Sequence, residues 1–168
     1  MGLDMGILRN GDMAISMRKD NAIRNWFSSH CYDFQDNGTT EISRSLLGDI
    51  IDDMWDVITA GKLEGLVDIY ETVYFAYDEN TTTRDAWDNY LEGAEAFVPN
   101  GENDEGSEDY LNFCKVAQEL LPTQSGFFFG DVSYDNWYVD EIISNYVRFK
   151  ELYDKVSEDD VLEYWEWY

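Results

Sequence analysis

The chain predicts an α+β fold: a helix-dominated single domain over residues 1–168, with an N-terminal β-hairpin and a small sheet. Three observations carry this expectation. Asn10-Gly11 sits between two short runs containing apolar residues, a strong local signal for a two-residue hairpin turn. Downstream, apolar residues recur at helical spacing in one segment after another. Of the 168 residues, 44% are hydrophobic and 16% aromatic, enough for one core in a chain of this length.

The elements follow in order. Leu3–Arg9 and Asp12–Arg18 are the arms of the hairpin. Asp20 or Asn21 can cap a helix reaching about His30, which places Ile23, Trp26 and Phe27 on one face. A polar turn at Asp36-Asn37-Gly38 leads to an extended piece at Thr39–Ile42, and Ser43 can cap the next helix. That helix, 44–60, aligns Leu47, Ile50, Ile51, Met54 and Ile58, and Gly61 can end it. Residues 66–78 read as either helix or strand; their length favours helix. A helix over 83–97 turns Trp87, Tyr90, Leu91 and Ala94 inward. Pro99–Ser107 is a polar loop whose Ser107 can cap a helix over 108–121. Tyr110, Phe113, Cys114, Ala117, Leu120 and Leu121 form its core face, and Pro122 stops it. Gly126–Gly130 reads as a short buried strand, 135–156 as a long helix, and about 158–166 as a short final helix ending in Trp165, Trp167 and Tyr168. There is no internal repeat.

Charge is the second theme. The chain has 36 Asp+Glu against 11 Lys+Arg, a net charge of -25. Disordered acidic chains are poor in aromatic residues, and this one is not, so the charge belongs to a folded surface. It is unevenly spread: net -1 over residues 1–47, -16 over 48–109 and -8 over 110–168. The middle section is thus an acidic helical region. On the 83–97 helix, Asp85, Asp88, Glu92 and Glu95 follow i, i+3, i+7, i+10 and form one line about 15 Å long. One strand of B-DNA carries its phosphates roughly 3.4 Å apart along the axis, about four in that length. Asp49, Asp52, Asp53 and Asp56 give a second acidic face. Like charges at these spacings destabilise an isolated helix, so local helix stability does not account for them. They suit a basic protein as partner, whereas direct nucleic-acid binding needs Lys and Arg, and an anionic membrane surface repels the chain.

Other chemistry is weakly represented. His30 has no nucleophile context, since the adjacent Cys31 points elsewhere on a helix. Cys31 and Cys114 lack metal-type spacing and read as reduced, buried thiols. Asp52-Asp53-Asp56 and the Asn100–Gly106 loop offer oxygen ligands for a hard cation. In the loop, however, the glycine is displaced and Leu111 occupies the bidentate glutamate position. There is no phosphate-binding or dinucleotide glycine pattern, and no cofactor or catalytic constellation is expected. The start has no basic-then-apolar leader, and Gly6 replaces the hydroxyl residue of a myristoylation signal. No apolar run reaches the roughly 18 residues of a membrane span. The expected compartment is the cytoplasm.

A polar-aromatic set remains: Asn21, Arg24, Trp26, Gln124, Ser125, Tyr134 and Trp137. These residues either satisfy buried backbone groups or line a small ligand pocket. They fall in segments that resemble a family of small, functionally uncharacterised proteins of tailed phages. The segments are Met1-Gly2-Leu3-Asp4-Met5, then Lys19-Asp20-Asn21-Ala22-Ile23-Arg24-Asn25-Trp26-Phe27, and Leu120-Leu121-Pro122-Thr123-Gln124-Ser125-Gly126-Phe127-Phe128-Phe129-Gly130 running on to Tyr134-Asp135-Asn136-Trp137-Tyr138. They cover about a quarter of the chain. The chain departs from the family pattern at Gly6, where the pattern has Tyr, and at Arg24, where it has His. The resemblance implies a phage or prophage origin and a role inside the infected host cell, and it carries no activity.

Charge and resemblance together lead to a phage-encoded acidic inhibitor. It would mimic nucleic-acid charge and block a host nucleic-acid-binding or defence protein, of anti-restriction or anti-CRISPR type. Exposed aromatics at Trp165, Trp167 and Tyr168 would anchor it. Two alternatives stand beside this reading: a small-molecule-binding protein or enzyme using the region around Asn21 and Gln124, and a non-mimic adaptor for a host enzyme.

Overall fold

The computed structural model describes residues 2–76 and 81–168. It is α+β. Four strands, β1 (Asp4–Arg9), β2 (Asp12–Arg18), β3 (Thr39–Ile42) and β4 (Leu162–Trp167), form one antiparallel sheet in the order β2-β1-β4-β3. The helices are α1 (Asn21–His30), α2 (Arg44–Ala60), α3 (Glu64–Phe75), α4 (Thr81–Phe97), α5 (Glu108–Leu120) and α6 (Asn136–Lys155).

The hairpin forms where the turn chemistry demands it. Asn10 and Gly11 both take positive φ, 52° and 85°, as a type I′ turn requires. A bulge between Ile7 and Leu8 shifts the register, so that Ile7 faces Ile15 but Leu8 faces Met13. A Cβ at Gly6 would lie 2.3 Å from the Ile15 carbonyl oxygen. The hairpin is therefore built for glycine at this position.

The starts of α1, α2, α5 and α6 are set by side-chain caps. Asp20 accepts from the Ile23 N–H, Ser43 from Leu46, Ser107 from Tyr110, and Asp135 from Trp137 and Tyr138. The ambiguous segment is helical as α3; residues 77 and 78 of it lie outside the described residues. Helix α6 is the central element. It packs against α2, α3, α4 and strand β2, and it buries Tyr138, Val139, Ile142, Ile143, Tyr146, Val147, Phe149 and Leu152. The inner face of the sheet adds Met5, Ile7, Ile15, Met17, Ile42, Leu162 and Tyr164 to the same core.

Three expectations are corrected. The end of the chain is a strand, not a helix. Leu162, Tyr164 and Glu166 alternate inward while Glu163, Trp165 and Trp167 alternate outward, the period of a strand with one buried face. Gly126–Gly130 is a turn rather than a buried strand. Phe129 N–H donates to the Gly126 carbonyl at 3.1 Å, Gly130 takes φ 89°, and Phe127 is 96% exposed. On α4, Tyr90 and Ala94 are buried but Trp87 and Leu91 stay more than one-third exposed, because the neighbours α3 and α6 cover a narrower face than the apolar pattern offers.

Phe149 lies fully buried on α6. Replacing it with Ala is expected to lower the unfolding free energy by about 3–5 kcal/mol in chemical denaturation. A loss under about 1 kcal/mol would show that α6 does not organise the core.

Candidate functional site

The segments 19–27, 120–130 and 134–138 meet in space, and what they build is mainly a buried polar network. Arg24, on the inner face of α1, is 7% exposed and Glu166 of β4 is fully buried. They pair through two hydrogen bonds, Nε to Oε2 at 3.1 Å and Nη2 to Oε1 at 3.2 Å. Glu166 also accepts from the Tyr164 hydroxyl at 2.8 Å and the Asn37 N–H at 2.9 Å. Arg24 reaches Gln124 Oε1 at 3.0 Å and Asp36 at 2.6 Å. Its guanidinium lies 4.7 Å from the Phe129 ring centre and 5.3 Å from that of Phe34. Tyr168 closes the cluster by donating its hydroxyl to Asp36 at 2.5 Å.

Asn21 extends the network. Its amide donates to the carbonyls of Phe129 at 3.1 Å and Asp131 at 2.7 Å, and its oxygen accepts from the Gln124 N–H at 2.9 Å. One side chain thus satisfies three backbone groups of a loop without regular structure. The Tyr134 hydroxyl accepts from the Thr123 N–H at 3.2 Å and holds the same loop. Trp26 points away: it donates to Asp53 on α2 at 2.7 Å and stacks on His30 at 4.0 Å. Ser125 is exposed, and Trp137, at the start of α6, is 74% exposed. Of the polar-aromatic set, then, Asn21, Arg24, Gln124 and Tyr134 hold the interior together, Trp26 belongs to the core, and Trp137 faces solvent.

A cavity of about 280 Å³ does open beside Asn21. Its walls include Arg18, Lys19, Thr123, Asp131, Trp137 and Glu141. Burial pushes the Glu141 carboxyl well above the usual carboxylate range, and the neighbouring Asp20, Asp140 and Asp135 add to it against the pull of Arg148. Asp20 is also raised by burial, although it accepts from Ile23 N–H and from Asn145, which in turn accepts from Arg148. The site thus pairs two surface cations with a carboxyl group that resists ionisation, a combination suited to a small polar ligand. Among the described residues, no group of three or more His, Cys, Asp or Glu side chains is arranged to hold a metal ion.

The acidic candidates are distributed differently. Asp85, Asp88, Glu92 and Glu95 on α4 are all exposed, and none joins an ion pair among the described residues. Asp49, Asp52 and Asp56 on α2 are exposed, whereas Asp53 is half-buried and engaged with Trp26. Trp165 is half-buried and Trp167 is 61% exposed on the outer face of the sheet. Tyr168 is held in the Arg24 cluster. The sequence reading missed Glu166, Asp36, Asp20 as a buried acid, and Glu141. Only Glu166 carries a sequence signal: an acid at an inward position of an alternating run, matched by a single arginine on an apolar helix face.

Compared with protein-family models, curated proteins and solved structures, the chain matches none. Among the described residues no helix is long and apolar enough to cross a membrane.

Removing one partner of a buried ion pair leaves the other uncompensated. Glu166→Ala is expected to destabilise the fold by about 3–5 kcal/mol, and Arg24→Leu/Glu166→Leu together by less than the two single changes summed. Additive losses in denaturant titrations would show that the two do not act as a pair. Glu141 gives a pH signature. A carboxyl that resists ionisation in the fold ionises freely in the unfolded chain, so stability declines as pH rises from its ordinary value of 4.5 towards the raised one. Glu141→Gln should remove the Glu141 share of that decline, leaving the part that the raised Asp20 contributes up to about pH 6, and be more stable than the parent at neutral pH. Parallel stability–pH curves for the two proteins would contradict this.

Proposed function

We propose that this chain is a phage-encoded acidic inhibitor that acts in the cytoplasm of the infected host. It occupies the basic surface of a nucleic-acid-binding or defence protein by presenting carboxylates where that surface expects phosphates. The observation that carries this reading is the α4 stripe: Asp85, Asp88, Glu92 and Glu95 all exposed, in line, and free of ion pairs among the described residues. Four aligned carboxylates over about 15 Å match the linear charge density of one nucleic-acid strand. The outer carboxylates of α2 extend the negative surface.

The basic side chains support the same reading from the other side. Arg24 is buried against Glu166, Arg9 binds Asp160 at 2.8 Å, and Arg44 lies 3.8 Å from the Tyr153 ring centre. These three cations are engaged away from α4, and the arginine on α4 itself, Arg84, forms no ion pair with the stripe among the described residues. Such a surface speeds encounter with a basic partner and excludes acidic ones.

The cavity beside Asn21 favours a second reading, a small-molecule-binding protein or enzyme. There a polar ligand would sit between Lys19 and Glu141, with the acidity incidental. The adaptor reading has no comparable support.

Tagged protein incubated with host lysate should capture nucleic-acid-binding proteins at low salt. Excess duplex DNA or RNA should displace them, and raising the salt should release them. Reversing the stripe with Asp85→Lys, Asp88→Lys, Glu92→Lys and Glu95→Lys should abolish capture without loss of thermal stability. Capture indifferent to salt, to added nucleic acid and to these changes would rule out charge mimicry.

A further inference from the structure

The α4 stripe ends at a groove. Between α4 and the first turns of α6 lies a cavity of about 310 Å³. Tyr90, Leu91 and Ala94 form its floor, Trp137 one wall, and Glu95 and Asp140 its rim. The floor presents no unmet polar group: the Tyr90 hydroxyl donates to Asp140 at 2.7 Å. Trp137 is 74% exposed and Leu91 39%, so an apolar wall and the Leu91 side of the floor stand open to solvent, while Tyr90 and Ala94 are buried beneath. Glu95 belongs to both features, as the last carboxylate of the stripe and as part of the groove's rim.

We infer that this groove is the anchor point of the acidic surface: it takes an arginine- or lysine-bearing segment of a basic protein, whose apolar or aliphatic portion packs on Leu91, Ala94 and Trp137 while its cation meets Glu95 and Asp140. The inference rests on the basic-partner reading above and locates its contact. Charge complementarity selects the occupant. Among the described residues no Lys or Arg lines the groove, and its two ionisable rim groups are carboxyls. A second copy of this chain brings a net charge of -25 against the same sign and is repelled. A long basic side chain satisfies both parts of the site, its stem lying along apolar surface and its charge reaching the rim or the indole face. An exposed tryptophan beside an apolar floor is also the residue type that dominates binding energy at protein interfaces.

The test uses the full chain and two synthetic peptides, one of arginine and leucine and one of arginine and serine. Binding is followed by calorimetry and by the Trp137 indole N–H signal in proton–nitrogen spectra. The arginine–leucine peptide should bind more tightly and shift that signal. Trp137→Ala and Leu91→Lys, both at exposed positions, should each weaken it by at least about tenfold. Unchanged affinity in both variants, or an indole signal unmoved at saturation, would overturn the inference. If reversing Asp85, Asp88 and Glu92 to Lys abolishes binding while Trp137→Ala does not, the stripe stands and the anchor fails. If Trp137→Ala abolishes it and the reversals do nothing, the anchor stands and the mimicry reading fails. Free arginine amide shifting the indole signal as strongly as the peptide would assign the groove to a small organic cation instead and also overturn the inference.

Discussion

Two opposite charges buried together, Arg24 and Glu166, constrain most of what surrounds them. Neither can be taken out of water alone without a large desolvation cost, so each requires the other in place. Arg24 stands on α1 near the start of the chain, and Glu166 on β4 near its end. Their pairing therefore fixes how the end of the chain enters the sheet between β1 and β3. It also fixes register. A slip of β4 by one residue would turn Leu162 and Tyr164 outward, and a slip of two would carry Glu166 away from the guanidinium. The loops follow: Asn37 N–H and Tyr164 bind Glu166, while Gln124 and Asp36 bind Arg24.

Apart from this cluster and the buried carboxyls of Asp20 and Glu141, the fold keeps its acidity away from its interior. Burial is supplied by α6 and the inner sheet face, and the acids of α2 and α4 are displaced outward by the apolar stripes that dock those helices. Asp53 is the informative exception, half-buried because Trp26 needs an acceptor for its indole N–H. An acidic helix that must still bury Tyr90 and Ala94 has little choice about which face it shows. The stripe, the exposed Leu91 and the groove beside Trp137 are thus consequences of one packing arrangement, and they form one continuous surface.

How much of this was legible depended on whether the signal was local. The hairpin, the caps at Ser43 and Ser107, the bounds of α2 and the extended piece at Thr39–Ile42 come from turn residues, cap residues and short-range periodicity, all written in consecutive positions. The final strand was obscured because Glu166 interrupts an inward apolar pattern with a charge, and only the distant Arg24 makes that position tenable. The Gly126–Gly130 segment has the composition of a buried strand. Its actual shape is set by Asn21, about a hundred positions away, whose side chain collects the backbone groups a sheet partner would otherwise take. Of the candidate pocket residues, Asn21, Arg24, Gln124 and Tyr134 join the interior network, while Trp26 turns to Asp53 and Ser125 and Trp137 face solvent.

The sequence by itself determined the class of fold, the starts of the capped helices α1, α2, α5 and α6, the hairpin and the line of carboxylates on α4, because propensity, capping and periodicity act over a few residues. Only the tertiary structure decided that the end of the chain pairs with its beginning, that Glu166 lies inside against Arg24, and that Trp137 stands open beside an acidic groove. Those outcomes depend on contacts between residues far apart in the chain, where the desolvation of a charge or the width of a neighbouring helix outweighs local preference.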